Sequence, residues 1–176
     1  MLLFYLFDLQ NNPNVTLTDI QNYDAVVVYA NYGLDFSSVK QALQGYMDIG
    51  GGVVTCVGSN FQSWNLNLDS DYAVVGTAST YYGSSLITGV IHNETHPVME
   101  NITNISLSHS YYHYGAVLNP ASTLIAEWTN GEPAVTIREN ISTGNARAAD
   151  LNFFPQPSHV DDPNAFLLMA NTLLWT

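Results

Sequence analysis

Cys56 ends the apolar run Val53-Val54-Thr55-Cys56-Val57-Gly58, where a buried strand gives way to a glycine. A thiol at such a bend has the form of a nucleophile elbow. That turn exposes the sulfur beside a helix N-terminus, where its pKa falls. A cysteine nucleophile also needs a base within hydrogen-bond reach. Downstream, Leu151-Asn152-Phe153-Phe154-Pro155-Gln156 is followed by His159 and Asp161. A His-x-Asp pair there is a candidate relay for Cys56 if the loop bends back, although Asp161 equally suits the N-cap of a closing helix. The competing reading makes Cys56 a small buried residue at a tight turn.

Other spacings raise other chemistry. His109 and His113 are four apart, and with Asp69, Asp71 or His96 they form a candidate metal set. Their neighbours Tyr111, Tyr112 and Tyr114 suggest a polar–aromatic sheet face instead. Asp69-Ser70-Asp71 offers oxygen ligands for calcium but lacks the glycine and distal glutamate of an EF-hand loop. The expectation is no metal and no cofactor. Tyr81, Tyr82, Tyr111, Tyr112, Tyr114 and Trp64 could line a sugar cleft or anchor a protein interface. They could equally be half-buried with hydroxyls at the surface.

The elements that must position these residues belong to a chain of 176 residues, 47% hydrophobic and only 10% charged. The expectation is one domain over residues 1–176 with a sizeable core. Three basic residues, Lys40, Arg138 and Arg147, stand against 15 acidic ones, for a net charge of −12. That charge excludes nucleic acid, whose phosphates need clustered Lys and Arg. No apolar run reaches the roughly 18 residues of a membrane span. Met1–Asp8 is apolar but lacks a basic flank and a cleavage site, and reads as a strand rather than a signal peptide. Asn14, Asn93, Asn101, Asn104 and Asn140 each begin an Asn-x-Ser/Thr sequon. Eighteen asparagines would give about three by chance, so the excess is mild. With so little lysine, the expectation is a glycosylated, extracellular or cell-surface protein.

Asp24–Ala30 is a continuous apolar run bounded by turn residues, as in a strand buried on both faces. Over 36–49, Val39, Leu43, Tyr46 and Met47 share a helical face, and Gly50-Gly51-Gly52 ends the helix before Val53–Val57. This is a βαβ unit. Leu2–Phe7 reads as a further strand, 17–22 as a short helix, and 61–68 as a helix that dissolves into loop. Ala73–Gly76, Leu107–Tyr114, Thr123–Trp128, Ala134–Arg138 and Ala146–Phe153 read as strands. Asn130-Gly131 and Thr143-Gly144-Asn145 mark turns between them. Asp161–Leu174 reads as the closing helix, capped by Asp161 or Asp162 with Pro163 in its first turn. The whole is α/β with an antiparallel addition. In such sheets ligands sit past the strand C-termini, here near Tyr32, Cys56, Ser59, Asn60, Phe61 and Phe154.

Tyr23-Asp24-Ala25-Val26-Val27-Val28, the helix, and Gly50-Gly51-Gly52-Val53-Val54 resemble the class I glutamine amidotransferase-like superfamily, most of all its ThuA-like and related secreted branches. The order of later segments strengthens the resemblance: His96-Pro97-Val98-Met99, Ala126-Glu127-Trp128-Thr129-Asn130-Gly131-Glu132-Pro133, Asn145 to Pro155 ending in Asn-Phe-Phe-Pro, and Asn171 to Trp175. It covers about residues 23 to 176. The resemblance implies a flavodoxin-like three-layer sandwich with a mostly parallel central sheet and an antiparallel hairpin extension. Active members carry G-x-C-x-G at the elbow and a later H-P-E. Here Val54 replaces the first glycine, and Phe154 and Gln156 hold the histidine and glutamate positions. That implies a pseudoenzyme, a structural or assembly module that self-associates or binds other cell-surface proteins or glycans. The alternatives are a sugar-binding or sugar-processing protein, or a cysteine hydrolase using Cys56.

Overall fold

The computed structural model describes residues 14–30, 37–59, 66–77 and 80–176. The strand expected over Leu2–Phe7 lies outside them, as do Tyr32, Asn60, Phe61 and Trp64. In chain order the elements are α1 (Leu17–Ile20), β1 (Ala25–Val28), α2 (Ser37–Asp48), β2 (Gly52–Cys56), β3 (Thr80–Ile91), a 3-10 turn (Pro97–Met99), β4 (Ser106–Tyr114), β5 (Thr123–Trp128), β6 (Pro133–Ile141), β7 (Ala146–Leu151) and α3 (Pro163–Trp175).

The described strands form one seven-stranded sheet in the order β1-β2-β7-β6-β5-β3-β4. β1, β2 and β7 run parallel, while the pairings from β7 through β6, β5 and β3 to β4 are antiparallel. The sheet is therefore mixed, not mostly parallel. Turn chemistry explains the balance: Asn130-Gly131 and the 142–145 turn return the chain directly, and a short return makes neighbours antiparallel. Only α2 provides a crossover long enough for parallel neighbours at β1 and β2.

Alternation along the central strands sorts the core. Val53 and Ala148 join α2 residues such as Leu43, Tyr46 and Met47 on one face. Val54, Cys56, Ala149 and Leu151 join Ala165, Leu168 and Trp175 of α3 on the other. A helix thus covers each face of the parallel end, so β2 is buried throughout. α2 closes where Gly50 takes a φ of +93°, a left-handed conformation that costs glycine little. α3 begins at Asp162, whose carboxylate accepts the Asn164 N–H at 2.8 Å, with Pro163 in the first turn.

Two expectations change. Ala73–Gly76 makes only an isolated bridge, Val75 to Leu118. Thr80–Ile91 is a twelve-residue strand, although Gly83, Ser84, Ser85 and Gly89 interrupt its apolar pattern.

Candidate functional site

β2 and β7 run side by side with Cys56 opposite Leu151. The chain leaving β7 therefore passes the turn that follows Cys56, and the two meet directly: the Val57 N–H donates to the Phe153 carbonyl at 3.4 Å. The turn is tight, with Gly58 at φ +93°. Ser59 donates to the Cys56 carbonyl through its amide at 3.2 Å and its hydroxyl at 2.5 Å. The Gly58 N–H donates to Nε2 of His113 at 3.0 Å. An elbow that stabilises an oxyanion must leave backbone N–H groups facing the substrate. Here the amides of Val57, Gly58 and Ser59 are all bonded inside the protein.

Cys56 itself is 0% exposed. Burial first, and the Asp150 carboxylate second, push its thiol well above the ordinary cysteine value. Both effects oppose the thiolate that nucleophilic or metal chemistry needs. Phe154, also buried, lays its ring against Tyr29, Tyr111 and His159, with centroids 5.7, 6.2 and 5.3 Å away. Of the pocket residues named from sequence, Cys56, Ser59 and Phe154 are described, and all three are buried.

His159 is partly buried, and its ring also packs on Tyr111 and His109. Its Nδ1 is buried without a hydrogen-bond partner. Asp161 does not orient it. That carboxylate accepts the Ser108 N–H at 3.0 Å. Hydrogen bonding from the Ser108 side chain first, and from this N–H second, holds it below the usual aspartate range. The other candidate ligands do not converge: His109 and His113 share β4, and Asp69 and His96 lie elsewhere. His113 is bonded to the elbow, and burial holds it near a pKa of about 4. His109 is on the exposed face of β4. Asp69 pairs with Lys40 at 2.7 Å, and His96 stacks edge-on against Trp175. Among the described residues no three His, Cys, Asp or Glu converge for a metal.

Two residues matter that the sequence did not single out. Asp150, 4% exposed, accepts the Thr55 hydroxyl at 2.7 Å between β2 and β7. Asn152, 2% exposed, ties three strands together. Its Oδ1 accepts the His113 N–H at 2.6 Å, and its Nδ2 donates to the carbonyls of His113 at 3.0 Å and Pro133 at 2.7 Å. Its own carbonyl accepts Trp128 Nε1–H at 3.0 Å. A buried asparagine this fully bonded is a structural bridge. A lone asparagine after an apolar strand was the only signal available for it.

No protein-family model matches the sequence, and no curated protein matches it to a significant level. Solved structures do match its shape. A ThuA-like protein from Bacteroides uniformis gives a TM-score of 0.63 at 15% identity, over 91% of this chain and 71% of that one. The fold is ThuA-like. A cytoplasmic protein from Salmonella typhimurium gives 0.62 at 15% identity, over 91% and 74%. A β-galactosidase from Rahnella sp. R3 gives 0.60 at 16% identity, over 88% of this chain but 22% of that one. At these identities the ThuA-like architecture is what is shared.

Proposed function

We propose that this chain is a catalytically silent amidotransferase-like domain, of flavodoxin-like three-layer type, that serves as a structural or interaction module. The observation that carries the reading is the sealed elbow. Cys56 has no exposed surface, the amides around it are spent, and Phe154, at the position of the expected base, is buried against Tyr29, Tyr111 and His159. A phenyl ring cannot take a proton from a thiol, and Gln156 cannot orient a base as a carboxylate does. The same architecture occupies about a fifth of the Rahnella β-galactosidase chain, so it can serve as one part of a larger protein. We read residues 1–176 as one such domain.

An extracellular setting is part of the proposal. All five sequon asparagines are exposed, which supports glycan attachment. Asn101 and Asn140 also hold left-handed φ angles of 61° and 56°, a conformation that favours asparagine by itself. Intact-mass measurement of protein purified from its source, before and after glycosidase, tests the setting. A mass loss on treatment supports it, and a mass equal to the bare chain contradicts it. For the silent domain, Cys56→Ala should leave the melting transition cooperative and binding unchanged. Loss of function in a folded Cys56→Ala protein would overturn it.

A further inference from the structure

We propose that the free edge of β3 pairs antiparallel with the same edge of a second copy of this chain, joining two sheets into one. This names the contact surface for the interaction module inferred above and rests on that reading. β5 lies beside β3 only from Thr88 to Ile91, and the Thr129 N–H takes the Ile87 carbonyl. From Leu86 back to Thr80 the β3–β4 ribbon runs past the end of β5. Among the described residues no strand borders that side of β3. The opposite edge, on β4, is closed by residues 152–162: Asn152 holds His113, Asp161 takes the Ser108 N–H, and Asp162 takes the Ser106 N–H at 2.7 Å. Among the described residues, one edge of the ribbon is capped and the other is open.

Proteins usually guard open edges with lysine, proline, inward charges or bulges. Thr80–Ile91 contains no charged residue and no proline. The ladder to β4 shifts between Ser84 and Leu86, which pair with Ser110 and Leu107. Two steps on β3 face three on β4, so the extra residue there is on β4; β3 carries an extra residue of its own only between Thr88 and Ile91, beside β5 and beyond the open stretch. Residues 82–85 are all exposed. Tyr82, at 51% exposed, meets the ring of Tyr114, at 49%, with centroids 5.7 Å apart.

Charge selects the occupant. Two copies at −12 repel wherever acidic surfaces meet. Neither β3 nor β4 contains Asp, Glu, Lys or Arg, so the ribbon is a neutral face on an acidic protein. An antiparallel edge pairing is its own complement about a two-fold axis and closes as a dimer.

Sedimentation velocity on the whole chain tests this, at 20 and 500 mM NaCl. The wild type should dimerise, and more tightly at high salt, because screening weakens the repulsion elsewhere. Ser84→Glu sets two carboxylates across the axis and should weaken the dimer at least about tenfold. Ser85→Pro removes a strand amide and should do the same. Thr143→Glu, in the exposed turn between β6 and β7, adds equal charge elsewhere and should leave the dimer intact. Circular dichroism checks each fold, and if Ser85→Pro fails to fold, Ser84→Glu decides. A dimer untouched by Ser84→Glu, or a monomeric wild type at both salts, would overturn the proposal. Neither result would touch the silent-elbow reading, which stands or falls on Cys56.

Discussion

The two ends of the sheet treat their polar groups in opposite ways. At the parallel end, helices cover both faces, and the amides of Val57, Gly58 and Ser59 after Cys56 are bonded within the protein. At the antiparallel end, the β3–β4 ribbon presents exposed tyrosine rings, and on its β5 side β3 borders no described strand from Leu86 back to Thr80. The end that carries the elbow turn is packed as core. The end without that geometry carries the accessible surface. A scaffold can keep the backbone of a reactive turn for its packing value alone, because buried apolar area stabilises whether or not a base is present.

Asn152 joins the two regions, so it offers the strongest way to break the comparison. Asn152→Asp keeps the shape and the acceptor for the His113 amide. It removes the donors to the carbonyls of His113 and Pro133 and buries a charge beside them. Each buried unsatisfied group costs roughly 1–3 kcal/mol, so the loss should be about 4 kcal/mol. Urea denaturation measures it. A loss under about 1 kcal/mol, within the range of ordinary surface substitutions, would show that the bridge does not hold the ribbon to the parallel end.

His113 gives the next largest effect. Its folded pKa is lowered from 6.5 to about 4 by burial. The unfolded chain takes up a proton below pH 6.5, whereas the native protein resists until about pH 4. The stabilisation is therefore complete above pH 6.5 and is lost as pH falls toward 4. The difference corresponds to about 3 kcal/mol. His113→Gln keeps an acceptor for Gly58 and should flatten this part of the pH profile. Equal slopes for variant and wild type between pH 6.5 and 4 would mean that His113 does not seal the turn.

The smallest effect belongs to the capped edge. Asp162→Ala frees the amides of Asn164 and Ser106 and should lower stability by about 1 kcal/mol, the usual value of an N-cap. An unchanged melting temperature would show that this cap adds nothing to the ribbon's closed side.

The elements that read clearly from sequence were those whose pattern and punctuation agreed. Thr123–Trp128 lies between turn residues and is a strand with those bounds, and Pro163 marks the first turn of α3. β3 was hidden because Gly83, Ser84, Ser85 and Gly89 read as loop, and its partners lie on distant segments. Asp161 looked like a helix cap or a catalytic acid. Its real partner is an amide 53 residues away. The elbow was legible as a turn. That its amides are spent depends on Phe153 and His113, which only the folded sheet brings to it.

Alkylation of the single cysteine by iodoacetamide, followed by mass spectrometry across pH 6 to 9, tests the central claim most directly. The sealed elbow predicts that Cys56 stays unmodified in the native protein and reacts fully once urea unfolds it. Rapid alkylation of the folded chain near pH 7 would show an accessible thiolate at the elbow and contradict the account.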